Sequence, residues 1–177
     1  MKIGFDFRMG GNLNAGIGRY VFELLKNLLE QNHDNHKYVV FYDPHNSSQA
    51  DLRLLKSYSA VSLIPAPYRH YSLAEQLFFP KLLNKHNLDL VHFPNFNVPV
   101  LYKGKYIVTI HDMVHHKISG HKKSRLLWFY GYKYVIEKAA QRAEKVITVT
   151  EAAKTDIVSF LKIDPSKITV IYEAPFL

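Results

Sequence analysis

The sequence predicts a doubly wound, Rossmann-like α/β domain on a mostly parallel seven-stranded sheet. Three observations carry that prediction: seven short runs rich in β-branched and aromatic residues, helix-period segments between them, and apolar residues at nearly every position of several runs. A strand covered by helices on both faces is apolar throughout, whereas a strand of an open sandwich alternates. The size agrees, because 177 residues with 47% hydrophobic and 21% charged content make one ordinary globular domain. Disorder is excluded as the default.

Lys2 to Phe7 is the first strand, and a glycine-rich stretch leads from it into a helix over Ile17 to Gln31. There Ile17, Tyr20, Val21, Leu24, Leu25, Leu28 and Leu29 recur at three- and four-residue spacing and form one buried stripe. Tyr38 to Tyr42 is the second strand, Pro44 to Gln49 a polar loop, and Val61 to Ile64 the third strand. Ser72 to His86 reads as helix, capped by Ser72 with Glu75 three residues on, and Pro80 is expected to kink or split it. Leu88 to His92 and Tyr106 to Ile110 supply the fourth and fifth strands. A long helix over Lys122 to Ala143 precedes the sixth strand, Val146 to Val149. Thr150 caps a helix over Glu151 to Leu161, and Asp164-Pro165-Ser166 turns the chain into the last strand, Ile168 to Ile171. Such alternation implies right-handed crossovers and ligands at the carboxyl ends of the strands. No repeat, low-complexity tract or linker divides the chain, so one domain is expected.

Composition removes several function classes. The longest uncharged apolar stretch, Leu126 to Tyr132, is far below the roughly 18 residues of a membrane span. Asp6 and Arg8 interrupt the opening segment where a signal peptide needs a continuous apolar core. The absence of cysteine excludes disulfides, iron–sulfur clusters, thiolate zinc sites and cysteine nucleophiles, and it fits a reducing, cytoplasmic setting. A formal charge of +8 favours anionic partners. Most of the excess is local, since eight Lys and Arg residues from Lys117 to Lys145 face only Glu137 and Glu144.

Four constellations bear chemistry. After the first strand, Gly10-Gly11-Asn12-Leu13-Asn14-Ala15-Gly16-Ile17-Gly18-Arg19-Tyr20 passes into a helix, and its glycines and helix N-terminus suit a phosphate or sugar. A plain turn is the alternative. Val21 occupies the position of the third glycine of a dinucleotide fingerprint, and no Walker lysine follows, so neither a nicotinamide site nor a P-loop is expected. After the fifth strand, Thr109-Ile110-His111-Asp112 places a histidine and an aspartate at the sheet edge. His111 there either contacts a substrate or is a loop histidine satisfied by backbone. With Asp112, His115 and His116 it also has the donor types of a metal site, the least favoured reading. The fourth strand ends in His92-Phe93-Pro94-Asn95-Phe96-Asn97, which either lines the pocket or forms a proline turn with aromatic packing. Finally, Lys122, Lys123 and Arg125 sit beside Trp128, Phe129 and further aromatics. This is a structural helix, or a peripheral contact with an anionic membrane or lipid acceptor; nucleic acid has no recognition module here.

Taken in order, Gly16-Ile17-Gly18-Arg19-Tyr20, Asp89-Leu90-Val91-His92-Phe93-Pro94, Val108-Thr109-Ile110-His111-Asp112, and Ile147-Thr148-Val149-Thr150-Glu151-Ala152-Ala153-Lys154 resemble one family. The chain resembles the N-terminal domain of a group 1 (family 4) retaining glycosyltransferase. That resemblance implies the first half of a GT-B fold, holding the acceptor, with a nucleotide-sugar donor held mainly by a second domain outside residues 1–177. It implies transfer of a hexose to a glycan or lipid-linked acceptor in envelope or surface polysaccharide synthesis, with no cofactor, no metal and no activity in the isolated domain. A non-catalytic acceptor- or membrane-binding module is the alternative. By the same resemblance, Gly16 and Gly18 meet the donor phosphate or sugar, Arg19 supports that loop or reaches a phosphate, and His111 contacts the donor sugar. Asp112 orients one of these groups, while His92, Asn95, Thr150 and Glu151 are supporting positions at the same edge. The family's second-domain Glu-x7-Glu motif has no counterpart, because no two glutamates here are eight apart. The usual S-E-F-S-K reads Thr150-Glu151-Ala152-Ala153-Lys154, and the usual Asn-Gly after the last strand reads Glu173-Ala174.

Overall fold

The computed structural model describes residues 1–11, 15–114 and 123–174, with side chains except at 15 and 123–128. Seven strands form one sheet: β1 (Lys2–Asp6), β2 (Lys37–Tyr42), β3 (Val61–Pro65), β4 (Leu90–Phe93), β5 (Tyr106–Thr109), β6 (Lys145–Thr148) and β7 (Ile168–Val170). Their order is β3-β2-β1-β4-β5-β6-β7, and every pairing is parallel rather than mostly so. The order reverses between β1 and β4. Connections leaving that point in opposite directions part there, opening a crevice at the carboxyl edge.

Helices cover both faces. α1 (Ala15–Glu30) and α2 (Gln49–Ser57) pack on one, where Phe5, Phe7, Val21, Leu25, Val40 and Leu55 form a core. α3 (Leu73–Asn84), α4 (Lys123–Arg142) and α5 (Glu151–Leu161) pack on the other, against Val39, Phe41, Val91, Phe93, Val108 and Val146. Adjacent strand residues such as Val39 and Val40 therefore enter different cores, which is why the runs are apolar throughout.

Local chemistry sets the ends. Ser72 Oγ accepts the Glu75 amide at 3.1 Å and Thr150 Oγ1 the Ala153 amide at 3.0 Å, as the sequence predicts. Two expectations change. Pro80 does not split α3, because it is buried with Phe79 and Leu83, and that packing outweighs one lost backbone bond. The polar loop ends sooner, since Ser48 caps α2; the helix has nine residues and buries only Leu52 and Leu55 of its apolar side chains, too few for a visible stripe.

The period of two in β1 has a further result. Phe5 and Phe7 face α1, so Asp6 and Arg8 face α3 together. Arg8 is wholly buried: Nε and Nη2 donate to the two Asp6 oxygens at 2.8 and 2.7 Å, and Nη1 lies 2.8 Å from Glu75 Oε1. Its guanidinium also lies 3.8 Å from the centroid of Phe79. Burial pushes the Asp6 carboxyl up, but the charge and hydrogen bonds of Arg8 outweigh it and hold it below the usual range.

Candidate active site

The carboxyl edge gathers most of the sequence-predicted residues. α1 starts there, with no acidic residue in its first turn, so the partial positive charge of its N-terminus is not offset locally. Gly16 is exposed in that turn, and a Cβ there would meet nothing within 4 Å. Packing among the described residues therefore does not demand glycine at 16. Gly18 is buried, its carbonyl accepting the Gly11 amide at 2.9 Å, which ties the loop to the helix. Arg19 is exposed in the same turn.

His111 follows β5 and is fixed from three sides. Because residues two apart share a face, Thr109 and His111 both point toward α1. The His111 ring meets Tyr20 edge-on, with centroids 4.6 Å apart. Nε2 lies 3.1 Å from the Pro94 carbonyl, which only accepts, so this nitrogen carries a proton. Nδ1 lies 3.4 Å from Glu173 Oε1, an ion pair when the imidazole is protonated. A backbone partner and an edge position thus coexist, and the side chain remains 17% exposed.

His92 sits deeper than a pocket wall. It is buried, packs edge-on against Phe5 at 5.3 Å, and Nε2 lies 3.0 Å from Thr109 Oγ1, which is 3.3 Å from the Tyr20 hydroxyl. His92 is therefore linked to the site through Thr109 and Tyr20. Burial, with the neighbouring His111 adding to it, pushes its pKa down to about 4. The group is neutral when folded yet titrates near 6.5 when unfolded, so the unfolded chain takes up the proton first as pH falls. Stability is expected to decline between roughly pH 6.5 and 4, by up to about 1.4 kcal/mol per pH unit. Urea unfolding at pH 7 and 5 measures this, and His92→Gln should remove that part of the slope.

The remaining positions divide. Asn95 is buried; Oδ1 accepts the Phe96 amide at 2.8 Å and Nδ2 lies 3.2 Å from Met9 Sδ, making the turn that carries Phe96 and Asn97. Asp112 is exposed and caps a turn by accepting the Val114 amide at 2.9 Å. Glu173, not Asp112, meets the His111 ring. Thr150 and Glu151 begin α5 at the exposed end of β6. Lys122, His115 and His116 lie outside the described residues, as do the side chains of Lys123, Arg125 and Trp128. Phe129 is half-buried against the core, whereas Tyr130 and Tyr134 are exposed. Among the described residues no three His, Asp or Glu side chains cluster as metal ligands, and no helix is long and apolar enough to cross a membrane.

A parallel sheet whose order reverses at β1 and β4, with a glycine-rich helix start and a fixed histidine at that edge, defines a Rossmann-like half of a GT-B architecture. Residues 14–174 match Glycosyltransferase Family 4, and the chain belongs to that family, as its N-terminal GT-B domain. Two solved structures share the fold. A glycosyltransferase from Rickettsia africae ESF-5 matches with a TM-score of 0.58 at 16% identity, over 97% of this chain and 42% of its own. Anabaena HepE, in complex with UDP and glucose, matches with a TM-score of 0.59 at 16% identity, over 97% of this chain and 44% of its own. The chain thus spans less than half the length of either. Among curated protein sequences none matches.

Proposed function

We propose that this chain is the acceptor-side domain of a retaining glycosyltransferase. It moves a hexose from a nucleotide sugar to a glycan or lipid-linked acceptor in envelope or surface polysaccharide synthesis, at the cytoplasmic face of a membrane. Turnover needs a second, donor-binding domain. The observation that carries this reading is His111, held by Tyr20, Pro94 and Glu173 at the edge where α1 begins.

The chemistry follows from charge. Departure of a nucleoside diphosphate builds negative charge, which backbone N–H groups near Gly16 and Gly18 and the α1 N-terminus stabilise. In its protonated form His111 is placed to donate through Nδ1 to the sugar once Glu173 yields that nitrogen. The UDP and glucose held by HepE support a nucleotide-sugar donor. No nucleophile and no metal are assigned.

A second reading has its own support: Tyr130 and Tyr134 are exposed on α4 beside the exposed Lys133, a pairing that suits an anionic membrane surface. In that case the domain binds acceptor or membrane without chemistry. The test is the reading frame beyond Leu177 and the complete protein. A second α/β domain with two glutamates eight apart is expected, together with hexose transfer whose product keeps the donor's anomeric configuration by proton NMR. Inversion, or absence of both the domain and nucleotide-sugar turnover, overturns the reading.

A further inference from the structure

Two cavities adjoin at the carboxyl edge on the α3 face. The first, about 210 Å³, lies between the start of α3 and the middle of α4, and its walls include Leu73, Phe96, Gly131, Tyr132 and Val135. The second, about 570 Å³, is lined by Asp43, Asn46, Arg69 and His70. Tyr71 and Ser72 belong to both, so an apolar chamber opens beside a polar one.

Two features point to an occupant. Gly131 stands in the middle of α4, where glycine weakens a helix, yet a Cβ at that position would meet nothing within 4 Å. No neighbour among the described residues requires it, and it lines the apolar chamber. Asn97, 2% exposed, lines the same chamber. Its Nδ2 donates to Glu75 Oε1 at 2.7 Å, which fixes the amide because a carboxylate only accepts, and its Oδ1 is buried with no partner. His70 Nε2, on the polar side, is likewise buried and unpartnered. Asn97 thus lines one chamber and His70 the other, and each keeps a polar atom for which the described residues supply no partner.

We propose that the two chambers together bind an amphipathic acceptor, its hydroxylated head beside Arg69, Asp43 and His70 and its apolar stem passing Tyr71 into the space beside Gly131. Arg69 and Asp43 bring one charge of each sign to the polar chamber, which suits a polyol more than an anion, and the exposed Leu73 carries the apolar wall outward. This chooses a lipid-linked acceptor over a free glycan and rests on the glycosyltransferase reading for the word acceptor.

The probes are methyl and octyl β-glucoside, the latter below its micellar concentration, titrated calorimetrically into the complete protein. Octyl β-glucoside is expected to bind at least tenfold more tightly. Gly131→Leu fills the chamber and suits a helix, so it should keep or raise the melting temperature while abolishing the octyl advantage; Val135→Trp is the second filling variant. His70→Ala should weaken both glucosides. Equal affinity of the two glucosides, or no binding of either, overturns the proposal, as does an octyl advantage that survives both filling variants. Nucleotide-sugar turnover, measured separately, keeps the two readings apart. Turnover without an octyl advantage defeats only the chamber assignment, and an advantage lost in Gly131→Leu without turnover defeats only the transferase reading.

Discussion

Replacing Arg8 with methionine is expected to destabilise the domain by about 3–5 kcal/mol, because it leaves buried carboxylates without their cation. Asp6 and Glu75 share this one guanidinium, and Arg8 also donates to the Tyr68 carbonyl at 3.1 Å, so the end of β1, the β3–α3 connection and α3 are held by one side chain. For a domain of this size that loss lowers the melting temperature by roughly 10 °C or more. Its pH dependence separates it from a simple packing defect. In the native chain Asp6 is held below the ordinary carboxylate range, so its contribution persists at neutral pH and is lost only as pH falls through that low value. Without Arg8, burial, the largest influence on Asp6, is opposed only by the smaller effect of His70 and raises it, so protonation relieves the variant as pH falls. The difference in stability between native chain and Arg8→Met should therefore be large at pH 7 and smaller near pH 4.5. A penalty independent of pH would show that lost contact with Phe79, and not the stranded charge, is responsible.

Most of the scaffold was legible in the sequence because its signals are local. Strand runs, the stripe on α1 and the caps at Ser72 and Thr150 depend on neighbours in the chain, and the sheet formed as predicted. The site was legible in position but not in its contacts. His111 and Gly16 stand at the expected edge, yet Tyr20 reads as one more apolar helix position and Glu173 as a departure from a family pattern. Their meeting at His111 depends on β5, α1 and the exit from β7 being brought together. The Asp6–Arg8–Glu75 cluster brings together residues 69 positions apart in sequence, and its only signal was a pair of charges two apart at the end of an apolar strand. Asn97 was legible only as one of the polar residues after the fourth strand and His70 gave no signal, since an unpartnered buried atom exists only once its surroundings are folded.

His111→Ala in the complete protein is expected to lower kcat by roughly 10²- to 10³-fold, the loss typical of one donor aimed at developing charge. If the contact forms mainly in the transition state, KM should change little. Folding should suffer far less, because the side chain is partly exposed and loses one carbonyl partner and one ring contact. His111→Gln, which retains an amide able to reach the Pro94 carbonyl, controls for that: stability should return while turnover stays low. Glu173 acts through His111, so Glu173→Ala should cost less than His111→Ala, and nothing further when added to it. Such non-additivity is the signature of residues working as a unit. Independent, additive losses would place Glu173 on the substrate in its own right, and unchanged turnover in His111→Ala would remove the histidine from the site.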